Sequence, residues 1–145
     1  MATVKGINRT VADAATRDHT LAPGLFGGNV KCMVDTYELS STAANTLIEM
    51  GGELPTGARV LAVLLVHDAL GASTTIDVGD LEDEDRYLAA VDTSSAGSSW
   101  SNLADGVEYE VDMTTASTPD NQIIVKLEAA TGSGTVKLLV LYTHE

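Results

Sequence analysis

Cross-links and rigid joints are scarce in this chain. One cysteine, Cys32, rules out an internal disulfide, and only three prolines restrict the backbone over 145 residues. Aromatics make up 4%, with one Trp and one Phe, so any core has to be built from Val, Leu, Ile and Ala. Basic residues are also few. Eight Lys and Arg stand against twenty-one Asp and Glu, a formal net charge of −13. Such a chain repels phosphate backbones, which attract proteins through Lys and Arg with release of counterions, so nucleic acid is not an expected partner. No apolar run approaches the ~18 residues of a membrane-spanning helix, so no membrane is expected either. The start, MATVKGINRTV, lacks the apolar core of a signal peptide. The protein is expected to be soluble and to be made and used without secretion.

What remains is a β protein's composition. Thirteen glycines and a 44% hydrophobic content rich in Val, Leu and Ala suit strands joined by tight turns. A chain this long buries roughly 68–70% of its unfolded surface and needs no staples. The charge is uneven. Residues 1–29 carry Lys5, Arg9 and Arg17 against Asp13 and Asp18, whereas the remainder has five basic against nineteen acidic side chains. Residues 1–29 show neither helical nor strand period and end in LAPGLFGGN. They read as an extended N-terminal arm, apolar enough at Val4, Ile7, Val11, Leu21, Leu25 and Phe26 to order on a neighbour or on the chain's own sheet. Residues 30–145 read as the folded domain.

Eight segments have strand character: Val30–Leu39, Thr46–Met50, Val60–Val66, Thr74–Val78, Tyr87–Val91, Val107–Asp112, Gln122–Glu128 and Thr135–Thr143. Gly, Ser, Asn and Pro separate them, and no long amphipathic helix occurs. The expected fold is all-β, a single-domain sandwich of about eight strands, jelly-roll-like, with the arm in front. Val60–Val66 is unbroken hydrophobe and reads as a central strand covered on both sides, with Thr74–Val78 flanking it. In the first segment Val30, Cys32 and Val34 share one face, and Cys32 reads as a buried thiol acting as a small hydrophobe. The last two segments are spaced for a hairpin around TGSG.

The apolar content exceeds what one inward face needs. Leu61, Val63 and Leu65, with Leu139 and Leu141, form an outward surplus, and a soluble monomer seldom leaves such a patch uncovered. These five residues are the expected contact of a homo-oligomer, most simply a closed ring. Trp100, in the polar tract Asp92–Gly106, reads as an interface anchor or as a side chain lying back on its own sheet.

No catalytic constellation emerges. His67 and Asp68 are adjacent, and neighbouring side chains on a strand point to opposite faces, so a polar pair at a strand end is expected in place of a base and its orienter. Asp80, Glu82, Asp83, Glu84 and Asp85 crowd six residues without calcium-loop spacing, and read as a solvated acidic loop with Arg86 as internal counter-charge. No zinc spacing, phosphate-cradling glycine motif or nucleophile elbow is present. No enzyme activity, cofactor or metal is expected. Two other readings stay open: a tail- or fibre-associated carbohydrate-binding module stacking sugars on Trp100, Tyr87 and Tyr109, and a small hydrolase with an acidic metal loop.

MATVKGINRT, VDTYELSSTAANTLIEMG, GARVLAVLLVHDALGASTTIDVGDLEDEDRYLAA and GTVKLLVLYT resemble a family of small structural proteins of tailed bacteriophages, the head decoration, cement or minor capsid proteins. HDALGASTTIDVGD followed by DRY is the most specific part. The resemblance implies a β-rich protein, without an active site, on the outer surface of the phage head. There it would commonly form trimers and clamp subunits of the major capsid protein together after synthesis in the host cytoplasm. On that reading Lys5, Arg9 and Arg17 belong to the capsid-contacting arm.

Overall fold

The computed structural model describes residues 28–102, 106, 109–112 and 121–144. Eight strands run in the order β1 (Asn29–Thr42), β2 (Thr46–Glu49), β3 (Arg59–His67), β4 (Thr75–Asp80), β5 (Leu88–Asp92), β6 (Gly97–Trp100), β7 (Ile123–Glu128) and β8 (Gly132–His144). They build two four-stranded sheets, β1-β8-β3-β6 and β2-β7-β4-β5, with every neighbouring pair antiparallel. Among the described elements only β4 and β5 are successive strands of the same sheet; each other connection crosses the sandwich. The pairs β1·β8, β2·β7, β3·β6 and β4·β5 therefore nest as one long hairpin rolled up around a core, the jelly-roll winding.

Crossing connections correct two pairings expected from the sequence. β3 and β4 do not flank one another, because β3 lies in the first sheet and β4 in the second. β7 and β8 form no hairpin either: the segment between them turns a corner from one sheet to the other, and β8 already begins at Gly132. The eighth strand is also not the expected one. Residues 109–112 form no strand, although Val111 exchanges main-chain hydrogen bonds with Gly57 and Ala58. In its place Gly97–Trp100 pairs with Leu64–His67 as an edge strand, extended by reciprocal bonds between Ser101 and Val63.

The core lies between the sheets. Val63, Leu65, Val136, Leu138 and Val140 of the first sheet face Ile48, Ile76, Val78, Ile123, Val125 and Leu127 of the second. Burying each such side chain stabilises the fold by about 1.5–3 kcal/mol before entropy is set against it. β3 sets the phase of the first sheet through a bulge. Between Val60 and Ala62 its register on β8 shifts by one residue, so Val60 turns inward together with Val63 and Leu65. Beyond the bulge Ala62, Leu64 and Val66 face out. Val63 and Leu65, expected on an oligomer contact, are completely buried. A strict period of two carried through the unbroken run from Val60 reverses the faces, and the bulge is the cause.

β1 is reversed for a related reason. Met33 lies opposite Val140 and packs on the core, which sends Val30, Cys32 and Val34 to the outer face, where Cys32 is exposed and not the buried thiol expected.

Candidate functional site

The two outer faces of the sandwich differ in character. On the second sheet, the outer side carries Glu49, Asp77, Lys126 and Glu128, and the loop after β4 folds back over it. Asp80 organises that loop. Its Oδ1 accepts the main-chain N–H groups of Glu82 and Asp83 at 3.0 and 2.9 Å, and Arg86 Nε donates to its Oδ2 at 2.6 Å. Arg86 also pairs with Glu82 and lies 3.9 Å from the centre of the Tyr109 ring. Outside the turn, Lys126 Nζ reaches Glu84 at 2.6 Å and also pairs with Glu128. Arg86 is the internal counter-charge of the acidic run, as the sequence led us to expect, pairing with Asp80 and Glu82 and leaving the loop net acidic, while Asp80 is only 1% exposed and not solvated like its neighbours. Burial pushes the Asp80 carboxyl above the usual carboxylate range and the Arg86 hydrogen bond opposes that shift. No cluster of three or more potential metal ligands occurs among the described residues.

The fold-back depends on Gly79. A Cβ there would collide with the main chain of Asp83 and Glu84. Gly79→Ala is expected to destabilise the fold by about 1–3 kcal/mol, since main chain yields less readily than a side chain tip. Urea denaturation read by circular dichroism checks this.

The outer face of the first sheet is apolar across its middle. Register aligns Val34, Leu139, Leu64 and Trp100 in one row across all four strands, and Cys32, Leu141 and Ala62 in the next. Val34 is 67% exposed, Val30 60% and Trp100 56%. Leu139 and Leu141 lie on this face as expected, half-buried, but their neighbours on β3 are Ala62 and Leu64. Leu61 falls at the bulge and is half-buried. The polar rim is formed at one end by Thr36, Lys137 and Glu38, the last accepting from Thr135 Oγ1 at 2.6 Å. At the other end stands the ion pair of Arg59 and Glu110.

The remaining candidates separate. His67 is buried with its Nδ1 3.0 Å from the Asp68 main-chain oxygen, while the Asp68 carboxylate points away and accepts the Thr135 N–H at 3.0 Å. That hydrogen bond holds the Asp68 carboxyl below its usual value. The pair joins β3 to β8 and does not form a base with its orienter. Trp100 stands on an edge strand and not in a loop. Tyr87 is buried and one face of Tyr109 is occupied by Arg86, so the three aromatics make no common stacking platform. Lys5, Arg9 and Arg17 lie outside the described residues.

No protein-family model matches the sequence, and no curated protein does. Solved structures do match. The chain is similar to a chain of the cyanophage Pam1 capsid asymmetric unit, with a TM-score of 0.69, 24% identity and complete coverage of both chains. It is similar to a chain of the capsid of Ralstonia phage GP4, with a TM-score of 0.59 and 19% identity over 81% of this chain and 86% of that one. A third match, in the acidic stable capsid structure of Helicobacter pylori bacteriophage KHP30, has a TM-score of 0.52 and 20% identity over 79% and 87% of the two chains. At these identities the likeness is one of fold.

Proposed function

We propose that this chain is a structural, non-enzymatic protein of a phage capsid, and more narrowly a decoration or cement protein. On this reading it binds the outer surface of the head and stabilises the lattice of the major capsid protein as trimers. The observation that carries the reading is the end-to-end correspondence with a chain of the Pam1 capsid asymmetric unit. It agrees with the resemblance of the sequence to phage head proteins. The sandwich supports the same conclusion. An acidic face with its own internal counter-charges suits solvent on the outside of a particle, and an apolar face on the opposite side suits protein contact.

A clamp of this kind works by linkage. It binds the assembled lattice and not free subunits, so each bound copy shifts the equilibrium towards the shell by mass action. Several weak contacts per oligomer suffice, because after the first the others act at high effective concentration. In this proposal residues 1–29 are an arm separate from the folded domain, and Lys5, Arg9 and Arg17 dock it on the major capsid protein. Deleting residues 1–20 is expected to abolish binding to purified undecorated shells, read by co-sedimentation, while the truncated chain keeps its β-rich circular dichroism spectrum. Normal decoration by the truncated chain would overturn the arm's role.

A further inference from the structure

We infer that a second copy of this chain covers the outer face of the first sheet, with Val34, Leu139, Leu64 and Trp100 at the centre of the contact. This deepens the trimer reading by naming the surface, and it stands on the face itself.

Charge is the first argument. Residues 30–145 carry five basic and nineteen acidic side chains, so two copies repel through most of their surfaces. The rows Val34–Leu139–Leu64–Trp100 and Cys32–Leu141–Ala62 contain no ionisable group apart from the thiol. Here two acidic bodies can meet without bringing carboxylates together. A basic partner would instead be drawn to the acidic loop and the outer face of the second sheet, so the neutral face is matched to a like molecule.

Anatomy is the second argument. Protein contacts have an apolar centre enriched in aromatic residues and a polar rim. Here Leu139 and Leu64 hold the middle, Lys137 and Glu38 at one end and the Arg59–Glu110 pair at the other supply the polar rim, and Trp100 closes the apolar row on the edge strand. Size is the third. Three strands spaced ~4.8 Å apart and about 30 Å long along β3, with their side-chain margins and the four-residue β6 at one edge, give a footprint of roughly 500 Å². Counted on both partners this is about 1,000 Å², in the range of weak and transient contacts, which fits an oligomer that dissociates on dilution.

The test uses the full-length chain. Light scattering coupled to size exclusion, over a wide range of concentration, is expected to show an oligomer that dissociates on dilution. Val34→Glu is expected to weaken association at least about tenfold, since it places like charges opposite one another in a desolvated contact. Leu47→Glu is the control, with the same charge change at an exposed leucine on β2 of the other sheet, and it should leave association unchanged. Cys32 reports the face directly. Its alkylation by a maleimide should slow as the wild-type chain is concentrated, and in the Val34→Glu chain it should stay fast. Circular dichroism verifies that both variants are folded.

A monomer at every concentration overturns the inference, and so does an oligomer that Val34→Glu and Leu47→Glu affect equally. A monomeric chain that still binds shells, and loses that binding in Val34→Glu, assigns the face to the capsid and overturns the second-copy occupant alone. Concentration-dependent association sensitive to Val34→Glu, in a chain that binds no shell, supports the inference and removes the decoration reading.

Discussion

Replacing Arg86 with alanine is expected to lower the stability of the fold by about 3–5 kcal/mol, the usual consequence of leaving a buried charge without its partner. Asp80 is 1% exposed, and the Arg86 side chain is nearly as well buried, at 5%. With the guanidinium removed, the carboxylate keeps only the two main-chain N–H groups of the turn, and the Tyr109 ring loses the cation stacked on it. The pH dependence follows from the direction of the Asp80 shift. Burial already holds this carboxyl above its ordinary 3.8, so its protonation favours the folded state below that value and the advantage is lost as pH rises. Arg86→Ala removes the main opposing influence and raises the folded value further. The destabilisation should therefore be full at neutral pH and shrink on acidification as the orphaned carboxyl takes up a proton. Urea denaturation at neutral and mildly acidic pH measures both effects. The double variant Asp80→Asn/Arg86→Met should recover much of the loss, because replacing both members leaves no buried charge. Equal loss in the single and double variants would mean that packing of the Arg86 stem, and not charge, sets the cost.

The fold class was legible because seven of its strands carry their own pattern. Alternation in Gln122–Glu128 and Thr135–Thr143, and the continuous apolar run of Val60–Val66, mark β7, β8 and β3 without help from the rest of the chain. The eight-strand winding was legible only as a count. β6 could not be read, because Gly97, Ser98 and Ser99 have the composition of a loop; the strand exists because Leu64–His67 offers a row of unpaired main-chain groups at a sheet edge. Val107–Asp112 has the converse history. Its alternation is clean, yet the described part, residues 109–112, forms no strand and meets Gly57 and Ala58 through the main chain of Val111.

The candidate surface was legible in kind and wrong in membership. An excess of apolar residues on β3 and β8 was apparent from composition, and the strands are neighbours, which makes the excess a continuous face. Which residues form it depends on a single register shift, and a bulge leaves no mark in a run composed entirely of Val, Leu and Ala. Leu139 and Leu141 survived because β8 has no shift against β3 there. β1 contributes Val30, Cys32 and Val34 because Leu39, 1% exposed, and Met33, opposite Val140 and beside Gly51, take the inward positions of the other parity.

That assignment of faces makes adjacent leucines of β3 behave differently. Leu65 is fully buried opposite Leu138, and Leu65→Ala is expected to cost about 2–5 kcal/mol, as lost transfer energy plus the cavity left between sheets that cannot close. Leu64 stands half-buried between Leu139 and Trp100 on the outer face, and Leu64→Ala is expected to cost no more than about 1 kcal/mol in the dissociated chain. Its effect should appear in self-association, because the side chain is central to the row proposed to meet a second copy. Denaturation at low protein concentration separates the two contributions, since dilution removes the part owed to assembly. If Leu64→Ala were the more destabilising at every dilution, the bulge between Val60 and Ala62 would be misplaced and the outer face would belong to Val63 and Leu65. The same reversal would remove the row with Trp100, because Trp100 shares a face with Leu64 only in the register that puts Leu65 inside.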